Sequence, residues 1–84
     1  SYPQVLKNVK VTDKDGTMND PDVQAAVQEV TDKLGDDGRI LLRKSGTEPV
    51  LRVMSEASNQ EECEKYVDRI ISAMKDSGHL LEVK

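Results

Sequence analysis

Residues 38–52, GRILLRKSGTEPVLR, hold two short apolar runs on either side of a polar turn, and this pattern dictates where the chain must reverse. The first run, Ile40-Leu41-Leu42, ends at Arg43-Lys44. The second, Val50-Leu51, leads into Arg52. Between them, Ser45-Gly46-Thr47-Glu48-Pro49 supplies the glycine, proline and small hydroxyl residues that punctuate turns. Suppose the two runs form a hairpin about Thr47 in the register that sets Arg43 directly across from Arg52. Both side chains then lie on one face, whereas a slip of one residue sends them to opposite faces, so the pairing holds only in that register. Like charges set directly opposite destabilise a sheet, so such a pair makes sense where an anion sits between them.

The turn has the composition of a phosphate-binding loop. Gly46 can adopt φ > 0 and bring backbone N–H groups close to an anion. Ser45 and Thr47 add hydroxyl donors, and arginine offers a planar fork that matches phosphate oxygens. From the residues alone two readings stay open: an anion site, or a polar hairpin turn with solvated arginines at its base.

The rest of the chain surrounds this hairpin with regular elements. Val5–Val11 alternates as a strand, with Val5, Val9 and Val11 on one face. Asp13–Asp20 reads as a solvated turn; as a calcium loop it would need its glycine elsewhere and a closing glutamate. Asp20 is an N-cap with Pro21 at the first helical position, and Gly35 is a stop. Val23, Ala26, Val27, Val30 and Leu34 form one stripe between them. Asn59 and Glu62 make a capping box, followed by a second stripe of Cys63, Tyr66, Val67, Ile70, Ile71 and Met74 that ends at Gly78. His79–Val83 forms a short last strand or frays. The order β-α-β-β-α, with an optional final strand, predicts an α+β domain in which an antiparallel sheet carries two helices on one face. By pattern alone that is a ferredoxin-like arrangement.

Eighty-four residues make one small domain, able to bury about 60–65% of its unfolded surface. With no Phe or Trp, and only Tyr2 and Tyr66, the core must be aliphatic. The net charge of −4 argues against a nucleic-acid partner, because such domains present a basic face. Arg39, Arg43, Lys44 and Arg52 are the one local basic excess, which suits a small phosphorylated ligand. The chain starts at Ser1 with no signal-like segment and no run long enough to cross a bilayer, so no membrane partner and a cytoplasmic location are expected. Cys63 stands alone and allows no internal disulfide.

No catalytic residue and no metal ligand is expected in these residues. Ser45 lacks a nucleophile-elbow context, His79 lies far away as a surface residue, and Cys63 sits on a core stripe. The acidic pairs Asp36-Asp37 and Glu61-Glu62 fall at a turn and a helix start, where carboxylates are ordinary. No His/Cys cluster has metal-ligand spacing.

The stretch RKSGTEP at 43–49 followed by VLRVM at 50–54 resembles the C-terminal-domain signature of bacterial phosphoglucosamine mutases, in the α-D-phosphohexomutase superfamily. The resemblance runs from Tyr2-Pro3-Gln4 to the helix ending near Met74. It implies a TATA-box-binding-protein-like fold, with residues 1–84 as the single C-terminal domain of a four-domain isomerase. The phosphoserine and the Mg²⁺ ligands of such enzymes lie in earlier domains, so this chain would bind no metal and be inactive alone. The implied ligands are glucosamine 6-phosphate, glucosamine 1-phosphate and the bisphosphate intermediate, on the route to cell-wall (peptidoglycan) precursors. The implied phosphate contacts are Arg43, Ser45, Gly46, Thr47 and Arg52. Glu48 is a supporting residue that braces Arg43 or meets the sugar or a neighbouring domain, and Lys44 points to solvent on the opposite face. Two alternatives differ in class: a free-standing nucleic-acid-binding module, which wants aromatic residues on exposed strands, and a regulatory ferredoxin-like module with a purely structural hairpin.

Overall fold

Each long helix begins and ends where its sequence can satisfy the loose backbone groups of a helix terminus. In the computed structural model, which describes all 84 residues, helix α2 spans Pro21–Leu34 and helix α3 spans Gln60–Asp76. Asp20 Oδ1 accepts from Asp22 N at 2.8 Å to start α2, and Gly35 stops it at φ 53°. Asn59 Oδ1 accepts from Glu62 N at 2.8 Å to start α3, and Gly78 follows it at φ 79°.

The segment Asp13–Asp20 departs from the expected solvated turn. It holds a six-residue helix, α1 (Lys14–Asn19), capped by Asp13 through Gly16 N. Thr17 is fully buried, and its hydroxyl donates to Asp13 O at 2.6 Å. A helix this short is unstable by itself; tertiary burial of Thr17 holds it, and that leaves no periodic trace in the sequence.

The strands are β1 (Gln4–Val11), β2 (Arg39–Lys44), β3 (Val50–Glu56) and β4 (Leu80–Val83). They form a four-stranded sheet in the order β2-β3-β1-β4, antiparallel at every pairing. The optional last strand is therefore present. β1 and β2 are linked through α1 and α2 with β3 between them, and β3 and β4 are linked through α3 with β1 between them. This is the split β-α-β connectivity expected from the alternation of elements. At Gly38, just before β2, a Cβ atom would stand 2.1 Å from Glu56 O, so only glycine lets the two strand ends approach.

Both long helices cover one face of the sheet and enclose a core of 18 buried residues. Val5, Val9, Val11, Ile40, Leu51 and Val53 come from the strands, and the two predicted helical stripes supply most of the rest. Burying each such aliphatic side chain stabilises by about 1.5–3 kcal/mol. Cys63 is wholly buried, with its thiol 3.1 Å from Pro3 O, as a core residue. At the rim of this face, Lys7 Nζ meets Asp68 at 2.8 Å and Glu64 at 3.1 Å. The hydrogen bond to Asp68, then that to Glu64, raises the Lys7 pKa above the ordinary lysine value.

His79 is not the free surface residue expected. Its side chain is 20% exposed, and Nε2 lies 2.8 Å from Asp20 Oδ2. The pair ties the turn after α3 to the start of α2, and it holds the Asp20 carboxyl below the usual carboxylate range, helped by the Asp22 amide. No helix is long and apolar enough to cross a membrane.

Candidate anion-binding site

The face of the sheet turned away from the helices is built in rows. Leu41, Met54 and Leu6 lie side by side across β2, β3 and β1, and the next row is Arg43, Arg52 and Asn8. The hairpin register is thus the one that sets Arg43 directly across from Arg52. Both arginines are exposed, and no carboxylate comes within ion-pair range of either. Arg39, two residues before Leu41 on the same face, has a partner: its Nε lies 3.3 Å from Glu56. A shallow basin of about 180 Å³ is lined by Leu6, Leu41, Arg43, Arg52 and Met54. At its edge, Asn8 Oδ1 is buried without a hydrogen-bond partner.

The turn joining β2 to β3 is closed by Ser45. Its amide donates to Val50 O at 3.0 Å and its hydroxyl to the same oxygen at 2.8 Å. The Ser45 hydroxyl, expected as a free donor, is therefore engaged in the turn. Thr47 and Glu48 are exposed at the tip. The Glu48 carboxylate does not pair with Arg43; it faces a hollow shared with Lys10, Glu82 and Lys84. Nor does Gly46 use a left-handed conformation, since the glycines in that region are Gly35 and Gly78. A five-residue turn has room to reverse without one, and a Cβ at Gly46 would meet nothing within 4 Å, so neither backbone conformation nor crowding within the chain demands glycine there.

The loop is braced from α1, a contact the sequence did not reveal. Lys14 Nζ donates to Gly46 O at 2.8 Å and to Ser45 O at 3.2 Å. Its neighbour Asp15 pairs with Lys44, which holds the Asp15 carboxyl below its ordinary pKa. Lys44 was expected to be free in solvent on the face opposite Arg43; it is half-exposed, and its charge is met. Arg43 and Arg52 are consequently the cations of the hairpin without a counter-charge.

What fold and surface define together is a two-layer α+β module presenting two unpaired arginines beside a hydroxyl-bearing turn. The chain belongs to the phosphoglucomutase/phosphomannomutase C-terminal domain family, whose pattern matches residues 6–73. It is 62% identical over 78 residues to a phosphoglucosamine mutase of Lachnospira eligens, covering 93% of this chain and 17% of that enzyme. To a phosphoglucosamine mutase of Lachnoclostridium phytofermentans it is 51% identical, covering 94% of this chain and 18% of the other. The chain therefore spans about a sixth of the length of these relatives. Among solved structures, Aspergillus fumigatus N-acetylphosphoglucosamine mutase in complex with GlcNAc-6P and magnesium superposes with a TM-score of 0.72 at 28% identity, covering 93% of this chain and 16% of that one. A serine-to-alanine variant of that enzyme in complex with glucose 1,6-bisphosphate gives a TM-score of 0.76 at 26% identity, with the same coverage.

Proposed function

We propose that this chain is the substrate-phosphate recognition domain of a phosphoglucosamine mutase, a four-domain isomerase interconverting glucosamine 6-phosphate and glucosamine 1-phosphate through a bisphosphate. The observation that carries this reading is the register that sets Arg43 beside Arg52 with no carboxylate to neutralise them, in a chain of this family. Two guanidinium forks can hold one phosphate by charge-assisted hydrogen bonds. Thr47 and the amides of Gly46 and Thr47 add donors. Ser45 joins by exchanging its bond to Val50 O for a phosphate oxygen.

The phosphate gripped here is the one not being transferred. Its role is positional: binding energy spent at the remote end of the sugar holds the reacting end in line with a phosphoryl donor carried by another domain. Because the bisphosphate turns over between half-reactions, the same loop accepts a phosphate from either end of the sugar. Magnesium belongs to that other domain. In this chain no three His, Cys, Asp or Glu side chains converge as metal ligands. A phosphosugar cannot cross a bilayer unaided, which supports a cytoplasmic setting. The exposed strand row of Leu6, Leu41 and Met54 offers no aromatic ring on which a nucleic-acid base could stack.

Titration of the chain with glucosamine 6-phosphate, followed by amide NMR, tests the reading. Shifts confined to residues 43–52 are expected. Unchanged amides throughout that segment would mean the hairpin is only structural.

A further inference from the structure

The two carbonyls held by Lys14 decide which way the tip of the hairpin presents its donors. Every peptide bond in the chain is trans, and in a trans peptide the C=O and N–H of one plane point in opposite directions. The Ser45 carbonyl shares its plane with the Gly46 amide, and the Gly46 carbonyl shares its plane with the Thr47 amide. Lys14 Nζ draws both oxygens to a single point, at 3.2 Å and 2.8 Å. The Gly46 and Thr47 amides therefore point away from α1 together. Neither finds a backbone acceptor in the turn, where the bonds run from Ser45 N to Val50 O and from Val50 N to Glu48 O.

The side from which Lys14 approaches completes the geometry. Its neighbour Asp15 pairs with Lys44, and Lys44 alternates onto the face of β2 opposite Arg43. α1 thus reaches the turn from the helix side of the sheet, and the two free amides turn toward the side that carries Arg43 and Arg52. We infer that Lys14 is a positioning residue of the phosphate site, fixing the Gly46–Thr47 peptide planes so that consecutive amides face the bound phosphate alongside the two arginines. This rests on the phosphate reading of the hairpin and adds to it a residue from outside the hairpin. Its physical effect is preorganisation: the amides are already oriented when the anion arrives, and the ammonium polarises both peptides in the sense that strengthens their donors.

The test uses Lys14→Met and Lys14→Arg, with inorganic phosphate and glucosamine 6-phosphate as separate probes. In the unaltered chain, phosphate should move the Gly46 and Thr47 amide protons downfield, as expected of N–H groups donating to an anion. Lys14→Met should abolish those two shifts and weaken binding about three- to tenfold through lost preorganisation, while the Arg43 and Arg52 side-chain Nε–H signals still respond. Lys14→Arg, which can also donate to two carbonyls, should restore most of both. The thermal midpoint and the amide spectrum outside residues 13–17 and 43–50 should be unchanged, which separates positioning from folding. If the unaltered chain binds phosphate and Lys14→Met binds it equally well with the same Gly46 and Thr47 shifts, the role of Lys14 is refuted and the phosphate site stands. If the unaltered chain shows no response at residues 43–52, the site and the role of Lys14 fall together.

Discussion

The two faces of one sheet handle positive charge in opposite ways. On the helix side, Lys7 of β1 reaches two carboxylates of α3, and the side chains around it, Val9, Leu51 and Val53, have no exposure at all. On the other side Leu6 stays 53% exposed, and Arg43 stands against Arg52 with nothing to offset either charge. The backbone ladder is shared, so the difference lies wholly in what each side chain meets. One face is complete within these residues. The other leaves a like-charged pair unrelieved, a repulsion that the proposed phosphate would turn into attraction.

The largest expected effect falls on the completed face. Ile70→Ala truncates a fully buried residue of α3 and should cost about 2–5 kcal/mol in denaturant unfolding. A loss below about 1 kcal/mol would show that the helix face is not where stability resides. Next come the arginines. Arg43→Ala or Arg52→Ala should weaken phosphosugar binding by about 1.5–3 kcal/mol, measured by calorimetry, and Arg→Lys should rescue only part of it. Without ligand, the same variants should be as stable as the parent or slightly more so, because a repulsive cross-strand pair is gone. An Arg52→Ala chain that unfolds, yet binds normally in its folded fraction, would make these arginines structural and erase the contrast.

A smaller effect separates the paired charges by pH. Asp20 has its folded pKa lowered by His79 and the α2 amides, so its contribution is full above the unfolded value of about 3.9. It should be lost as pH falls through the lowered one. Lys7 has its folded pKa raised by Asp68 and Glu64, so its contribution is present below the unfolded value of about 10.4 and fades as pH rises through the raised one. Thermal midpoints of Asp20→Asn and Lys7→Met across pH should show the acid limb flattened in the first and the alkaline limb in the second. The smallest effect belongs to the open face: Leu6→Thr should change stability by no more than about 0.5 kcal/mol, and a larger loss would mean that this row is already packed.

Features governed by local chemistry were legible in the sequence. Asp20-Pro21 and Gly35 bounded α2, Asn59 opened α3, and the two apolar runs located the hairpin, of whose possible registers the structure has the one that pairs Arg43 with Arg52. What stayed hidden depends on residues far apart. α1 has no apolar stripe and persists because Thr17 is buried by the rest of the fold. The His79–Asp20 pair and the Lys14 bonds to the turn join segments that only the finished topology brings together. The backbone at Gly46 differs for another reason: composition offered a residue capable of left-handed backbone, and a turn of that length did not need it.

β1 lies inside the sheet although it is the first strand of these residues. Val9 pairs with Leu51 on one side and with Val83 on the other, so its neighbours are made late. During synthesis, at about 5–20 residues per second, the β2-β3 hairpin can close soon after it emerges from the ribosome. The sheet around it cannot, because its edge opposite β2 is not yet in existence. Loop closure must be met before such distant pairings return any stabilisation. The arginine-bearing hairpin is thus the early local event, and the strand at the centre of the sheet waits longest for its partners.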